Sequence, residues 1–187
     1  FMLPRPGYEA AWRQLIDPEG FWAPCGITTA ERRHPQFRSH GVGNCEWDGA
    51  VWPFATTQTL EALANVLRHY DQPYVSRADY LQAIEIYARV HQRNGQPYIG
   101  EYHDEVTGEW LKGDNPRSRY YNHSTFCDLI ITGLVGLVPR LDDCIEIDPL
   151  LPAEAWDWFC LDRVRYHGHE VSIVWDRTGE RYGRGAG

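Results

Sequence analysis

A chain of 187 residues, 43% of them apolar, is long enough to bury a core in one domain, or in one domain with a small appendage. Its 18 basic residues against 26 acidic ones leave a formal charge of −8, and its one lysine, Lys112, lies in no basic run, which argues against a nucleic-acid backbone as partner. No stretch approaches the roughly 20 apolar residues of a membrane-spanning helix, so no membrane partner is expected; five cysteines without CxxC spacing give no zinc framework, and their odd number reads as buried reduced thiols and favours the cytoplasm.

Residues 8–16 place Tyr8, Ala11, Trp12, Leu15 and Ile16 at helical spacing, and Asp17-Pro18-Glu19-Gly20 stops the pattern, which predicts a short helix. Residues 21–53 then run without periodicity. A connection that long inside a compact domain is functional or disordered, and Phe21, Trp22, Phe37, Trp47 and Trp52 give it too much apolar surface for disorder. Its end, from Cys45-Glu46-Trp47-Asp48-Gly49 to Trp52-Pro53-Phe54, crowds two indoles, two carboxylates and a turn glycine together. Trp47 and Trp52 offer flat apolar faces while Glu46 and Asp48 offer acceptors, the combination that grips a sugar by its C–H face and its hydroxyl edge. A packed loop that plugs a helix end is the other reading.

Two helices follow. Residues 56–70 carry Leu60, Leu63, Ala64, Leu67 and Tyr70 on one face, and residues 77–93 carry Tyr80, Leu81, Ile84, Tyr87, Ala88 and His91, opened by Ser76 and Asp79 and closed by Asn94-Gly95. The short link between them predicts an antiparallel hairpin, with His91 a hydrogen-bonded core histidine. Residues 96–120 form a second long loop. In it Tyr98, Ile99 and Tyr102 flank Glu101, partly desolvating its carboxylate and fitting it for duty as a base; Asp104, Glu105 and Glu109 read as solvated loop charges.

Residues 121–138 are apolar nearly all round, which predicts a helix buried on several sides, capped by Asn122 or Ser124. Gly133 and Gly136 read as places where a neighbouring helix approaches closely. One short helix and two long ones cannot cover it, so it is expected to pack against sequence outside this chain or in an oligomer. Beyond Pro139 the period becomes two: residues 144–148 alternate, and residues 164–175 predict a β-hairpin turning near His167-Gly168. His167 and His169 read as solvated turn residues rather than a metal pair, and neither metal nor other cofactor is expected.

Four blocks occur in a fixed order: Trp47-Asp48-Gly49-Ala50-Val51-Trp52-Pro53 entering a helix; Glu101-Tyr102 with Thr107-Gly108; Tyr121-Asn122-His123-Ser124-Thr125-Phe126 and the apolar run behind it; and Ile147-Asp148-Pro149-Leu150-Leu151-Pro152. Together they resemble the C-terminal part of an (α/α)6-barrel glycoside hydrolase, in the group around glycoside hydrolase family 63 and the mannosylglycerate-hydrolase-like domains. The fold this implies is mainly α: a partial (α/α)6 toroid of helical hairpins with long aromatic loops over residues 1–139, followed by a small antiparallel β appendage over residues 140–187. The activity it implies is inverting hydrolysis of an α-linked glycoside, with Glu101 as general base. Trp47, Asp48 and Trp52 become sugar contacts, and Gln58, Tyr102 and His123 join them as substrate-binding candidates. Ala50 stands where proline is usual, and Asp104-Glu105 where Asp-Pro is frequent; neither change removes a catalytic atom.

The family's general acid is an upstream aspartate with no counterpart here, and a six-hairpin barrel needs about twelve helices of ordinary length. The chain, which opens on Phe1, is therefore expected to be the C-terminal half of such an enzyme, inactive alone, with the N-terminal half of the barrel or a second copy as its partner. A non-catalytic carbohydrate-binding or interaction domain is the alternative.

Overall fold

The computed structural model describes residues 7–43, 45–121 and 125–186, and the chain divides into two compact units, Phe1–Phe126 and Cys127–Gly187. In the first unit a 3₁₀ turn, Tyr8–Trp12, runs into α1 (Arg13–Ile16) where the spacing predicts a helix. A two-residue ladder follows, β1 (Trp22–Ala23) against β2 (Gly26–Ile27). The predicted hairpin is α2 (Pro53–His69) and α3 (Arg77–Arg89). Pro53 opens α2 at a position whose N–H has no intrahelical partner to lose, and Leu60, Leu63, Ala64 and Val66 form its buried stripe. At the head of α3, Ser76 Oγ accepts from Asp79 N–H while Asp79 Oδ2 accepts from Ser76 N–H at 2.7 Å, a reciprocal capping box. Ser76→Ala is expected to lower stability by about 1 kcal/mol, read as a fall in the urea midpoint at unchanged slope.

Helix α3 ends at Arg89, short of the expected Arg93. Asn94 and Gly95 are not its cap: they form the two-residue turn between β3 (Gln92–Arg93) and β4 (Gln96–Pro97), with φ of 52° and 71°. A tight hairpin turn whose twist matches its strands needs positive φ at both central residues, which Asn-Gly supplies. The long loops are tied to one another by single bridges: Thr28 to Val51, Val51 to His103, His103 to Trp110, and Arg38 to Gly49. At Gly49 a Cβ would fall 2.0 Å from the Arg38 carbonyl oxygen, so this bridge admits glycine alone.

In the second unit, the turn α4 (Phe126–Asp128), which begins at the unit boundary, continues as π-helical Leu129–Leu134. Strand β5 (Leu137–Val138) pairs with β6 (Glu146–Ile147), and β7 (Trp158–Tyr166) with β8 (His169–Asp176) about a His167-Gly168 turn at φ 49° and 79°. That hairpin agrees with the period-two reading. Gly136, at φ 82°, would place a Cβ 2.2 Å from the Asp148 carbonyl, so the element that approaches it is the backbone following β6 and not a helix.

Three expectations are corrected here. Over the described residues the chain is not mainly α and forms no (α/α)6 toroid. Helices α2 and α3 make one hairpin, while the rest of the described chain is short helical turns, loops and four two-stranded antiparallel sheets. The aromatic loops, which a toroid would use only as connections, are themselves the paired structure. The 121–138 helix is reduced to Phe126–Leu134, because Gly136 leaves helical geometry; with Leu129, Leu134, Val135 and Leu137 buried, no uncovered apolar helix results. The cysteines are free, as read, but Cys45, Cys127, Cys144 and Cys160 are exposed rather than buried.

Candidate active site

The loop that enters α2 lays its aromatic side chains in a row. The Trp52 ring lies 4.8 Å from Trp47 in a T-shaped contact, 5.1 Å from Phe54 and 5.1 Å from Tyr102. Ala50, Trp52 and Tyr102 are buried together, with Phe54, Ala55 and Leu111 packed against them. Trp47 is the outermost of the row, 51% exposed. It lines a groove of about 290 Å³ together with Trp12, Leu15, Phe21, Thr28 and Thr59.

Behind this row sits a charged layer. Glu46 is buried, its Oε2 accepting from Gly41 N–H at 2.9 Å and its Oε1 from Gly43 N–H at 2.8 Å. Its own N–H donates to Tyr102 Oη at 2.9 Å. The Lys112 ammonium donates to the Gly43 carbonyl, lies 4.8 Å over the Tyr102 ring, and stands 3.8 Å from Glu46 Oε1 and 3.6 Å from Glu101 Oε2. Glu101 is 1% exposed. Its N–H donates to Ser118 Oγ at 3.1 Å, and Arg117 Nη2 approaches Oε1 to 3.9 Å, beyond hydrogen-bond reach. Glu101 Oε1 is thus a buried carboxylate oxygen that faces the Arg117 guanidinium without a hydrogen bond, as Glu105 Oε2 is also buried without one.

Asp48 lies across His40 from Glu46, His40 Nδ1 standing 3.8 Å from Glu46 Oε1. Burial pushes the Asp48 carboxyl up, but Arg38 Nε at 2.7 Å and His40 Nε2 at 3.2 Å outweigh that and hold it below the usual carboxylate range. It is an ionised acceptor, suited to hydroxyls and not to proton donation. His103, wholly buried, is pushed down to about 4 by desolvation, with its Nδ1 3.2 Å from the Asp104 carbonyl. His91 is the core histidine expected, its Nδ1 2.6 Å from the Tyr87 carbonyl and its ring between Tyr87 and Phe126.

Trp47, Trp52 and Tyr102 touch in turn, and Glu101 is the chain neighbour of Tyr102; Trp52, Tyr102 and Glu101 are buried, and of the four only Trp47 lines the groove. Tyr102 is fully buried beneath the indoles, and Gln58 is exposed on α2. His123 lies outside the described residues. Glu105, read as a solvated charge, is buried at 8% exposure. Lys112 escaped the sequence reading; its only signal was being the one lysine among seventeen arginines. Among the described residues no cluster of three or more His, Cys, Asp or Glu could hold a metal ion.

Comparison with known proteins matches residues 1–124 to the mannosylglycerate hydrolase MGH1-like glycoside hydrolase domain. Residues 140–187 match the C-terminal domain of glycosyl hydrolase family 65. A solved structure named a sialidase is similar at 61% sequence identity and a TM-score of 0.91; the match covers 98% of this chain and 17% of that one, so this chain spans about one-sixth of that protein's length.

Proposed function

We propose, from the premise that this chain belongs to the MGH1-like glycoside hydrolase domain family, that it supplies the base half of an inverting glycosidase site, with Glu101 activating the attacking water and Trp47 as the sugar platform, backed by buried Trp52. One observation carries the reading. Glu101 has one oxygen in an ion pair with buried Lys112 and the other buried opposite Arg117 Nη2 at 3.9 Å without a hydrogen bond, next in the chain to Tyr102 of the aromatic row. Once the charged layer opens to admit water at Oε1, such a carboxylate takes a proton from that water as it attacks the anomeric carbon.

Inversion also needs a protonated carboxylic acid roughly 6.5–9.5 Å away on the opposite face of the sugar. Both oxygens of Glu46 accept backbone N–H groups, and Asp48 is held ionised by Arg38 and His40. Neither is free to give a proton to a leaving group. We assign the general acid to sequence outside these 187 residues, and an α-linked glycoside as the substrate class.

The test is a protein that contains this segment, offered 4-nitrophenyl α-glucoside, α-mannoside and α-galactoside, with a 4-methylumbelliferyl sialoside added because a similar structure is named a sialidase. Proton NMR of the first product identifies its anomer. Hydrolysis of an α-glycoside to the β-anomer is expected; release of the α-anomer overturns the inverting assignment, and binding without turnover favours a carbohydrate-binding domain. Trp47→Ala is expected to raise KM by about tenfold, since an aromatic face contributes about 0.5–1.5 kcal/mol beyond its burial. Its thermal midpoint falls, but less than for a fully buried tryptophan, because the ring is half exposed and loses chiefly its edge contact with Trp52.

A further inference from the structure

Lys112 is the one lysine of the chain, its side chain 8% exposed, and it sits between two carboxylates that are themselves buried. Burying an ammonium costs several kcal/mol, which only paired charges and hydrogen bonds offset, so its place needs a reason beyond packing. Three contacts hold it: the Gly43 carbonyl, which accepts from it, the Tyr102 ring face at 4.8 Å, and Glu46 Oε1 at 3.8 Å. Glu46 is in turn fixed by the N–H groups of Gly41 and Gly43 and by its own N–H on Tyr102 Oη. The ammonium is therefore anchored on one side before it meets Glu101, and it meets one oxygen of Glu101 only, Oε2 at 3.6 Å.

From this geometry we infer that Lys112 is a positioning residue for Glu101: anchored by Glu46, Tyr102 and Gly43, it holds Oε2, while Oε1, which has only the Arg117 guanidinium at 3.9 Å and no hydrogen bond, is left as the oxygen for the reacting water. The inference rests on the assignment of Glu101 as base. A carboxylate at the end of a glutamate side chain turns about its last torsion over a broad range, and one oxygen pinned by a buried cation removes that freedom. The backbone N–H on Ser118 Oγ fixes the start of the same side chain. Arginine keeps the charge and can still meet a carboxylate, whereas methionine keeps the length and the apolar stem without the charge.

The experiment compares Lys112→Met, Lys112→Arg and Glu101→Gln in a protein that contains this segment, using whichever of the 4-nitrophenyl α-glycosides it hydrolyses. Lys112→Met is expected to lower kcat on the order of 10²-fold, the cost of a misplaced catalytic group, with KM within about threefold of the parent, and Lys112→Arg to restore at least a tenth of the loss. A purely structural lysine would move KM, kcat and the thermal midpoint together and would not favour arginine. Crystal structures of the parent and the two lysine variants give a readout that needs no turnover: the Glu101 carboxylate keeps its orientation with arginine and turns with methionine. If Lys112→Met does not fold, the arginine variant carries the test, by keeping or losing that orientation. If Glu101→Gln is harmless, the assignment of the base fails. If Glu101→Gln is inactive but Lys112→Met keeps the parent kcat or the parent Glu101 conformer, the positioning role alone is overturned.

Discussion

Glu101→Gln is expected to lower kcat on the order of 10²- to 10⁴-fold, the range that a positioned general base contributes. The amide keeps the shape of the side chain and can still sit beside Lys112, so substrate binding should hold and the loss should fall on kcat. What the amide cannot do is take the proton that water gives up as its oxygen bonds to the anomeric carbon. The companion variant Glu46→Gln separates chemistry from support. Glu46 is buried with both oxygens taken by backbone N–H groups, so its replacement should cost stability by unpairing Gly41 or Gly43 and should spare more of kcat than Glu101→Gln does. Equal losses of kcat from both would break the assignment of roles.

Acid should unfold this protein earlier than its carboxylates alone require, because of His103. Burial pushes the folded imidazole down to about 4 from the 6.5 of an exposed one. As pH falls, the unfolded chain takes the proton first, so the stability that neutral His103 allows is complete above about pH 6.5 and is lost progressively as pH falls toward about 4. By linkage the full loss is roughly 3 kcal/mol, of which roughly 2 falls between pH 7 and pH 5. His91, also pushed down by burial, adds to it in the same direction. The carboxylates held below their usual range, Asp17, Asp48 and Asp104 among them, lose their contribution only at lower pH. Urea unfolding at pH 7 and pH 5 checks this. In His103→Phe the slope over that interval should flatten, even though the variant is less stable at pH 7 for losing the contact with the Asp104 carbonyl. A parent protein equally stable at both pH values would show that His103 is not buried as described.

What the sequence made legible were the elements whose signals are local. The α2–α3 hairpin follows from two apolar stripes, a proline at one start and the Ser76/Asp79 box at the other, and the β7–β8 hairpin from alternation about His167-Gly168. The family, too, was legible, in the order of four short blocks. The architecture attached to it was not. Asn94-Gly95 serves a helix end or a tight hairpin with the same left-handed backbone, and only the pairing of Arg93 with Gln96 distinguishes them. The bridges between loops join residues as far apart as Val51 and His103, one residue at a time, and a single pair has no period to detect. In the site, Glu101 and the indoles could be singled out because their neighbours in sequence are aromatic. Lys112 could not, because everything that explains it, Gly43, Glu46, Glu101 and the Tyr102 ring, comes to it through space.

The solitary, buried lysine also makes the protein its own sensor of opening. Amine-directed acylating reagents, which need an exposed and deprotonated side-chain nitrogen, find the only lysine of the chain shielded beneath Tyr102 and flanked by two carboxylates. Acylation at position 112 should therefore proceed only as often as the charged layer parts from the aromatic row, and its rate under native conditions, followed by peptide mass spectrometry, is a clock for that event. A sugar seated on the indoles would slow the clock.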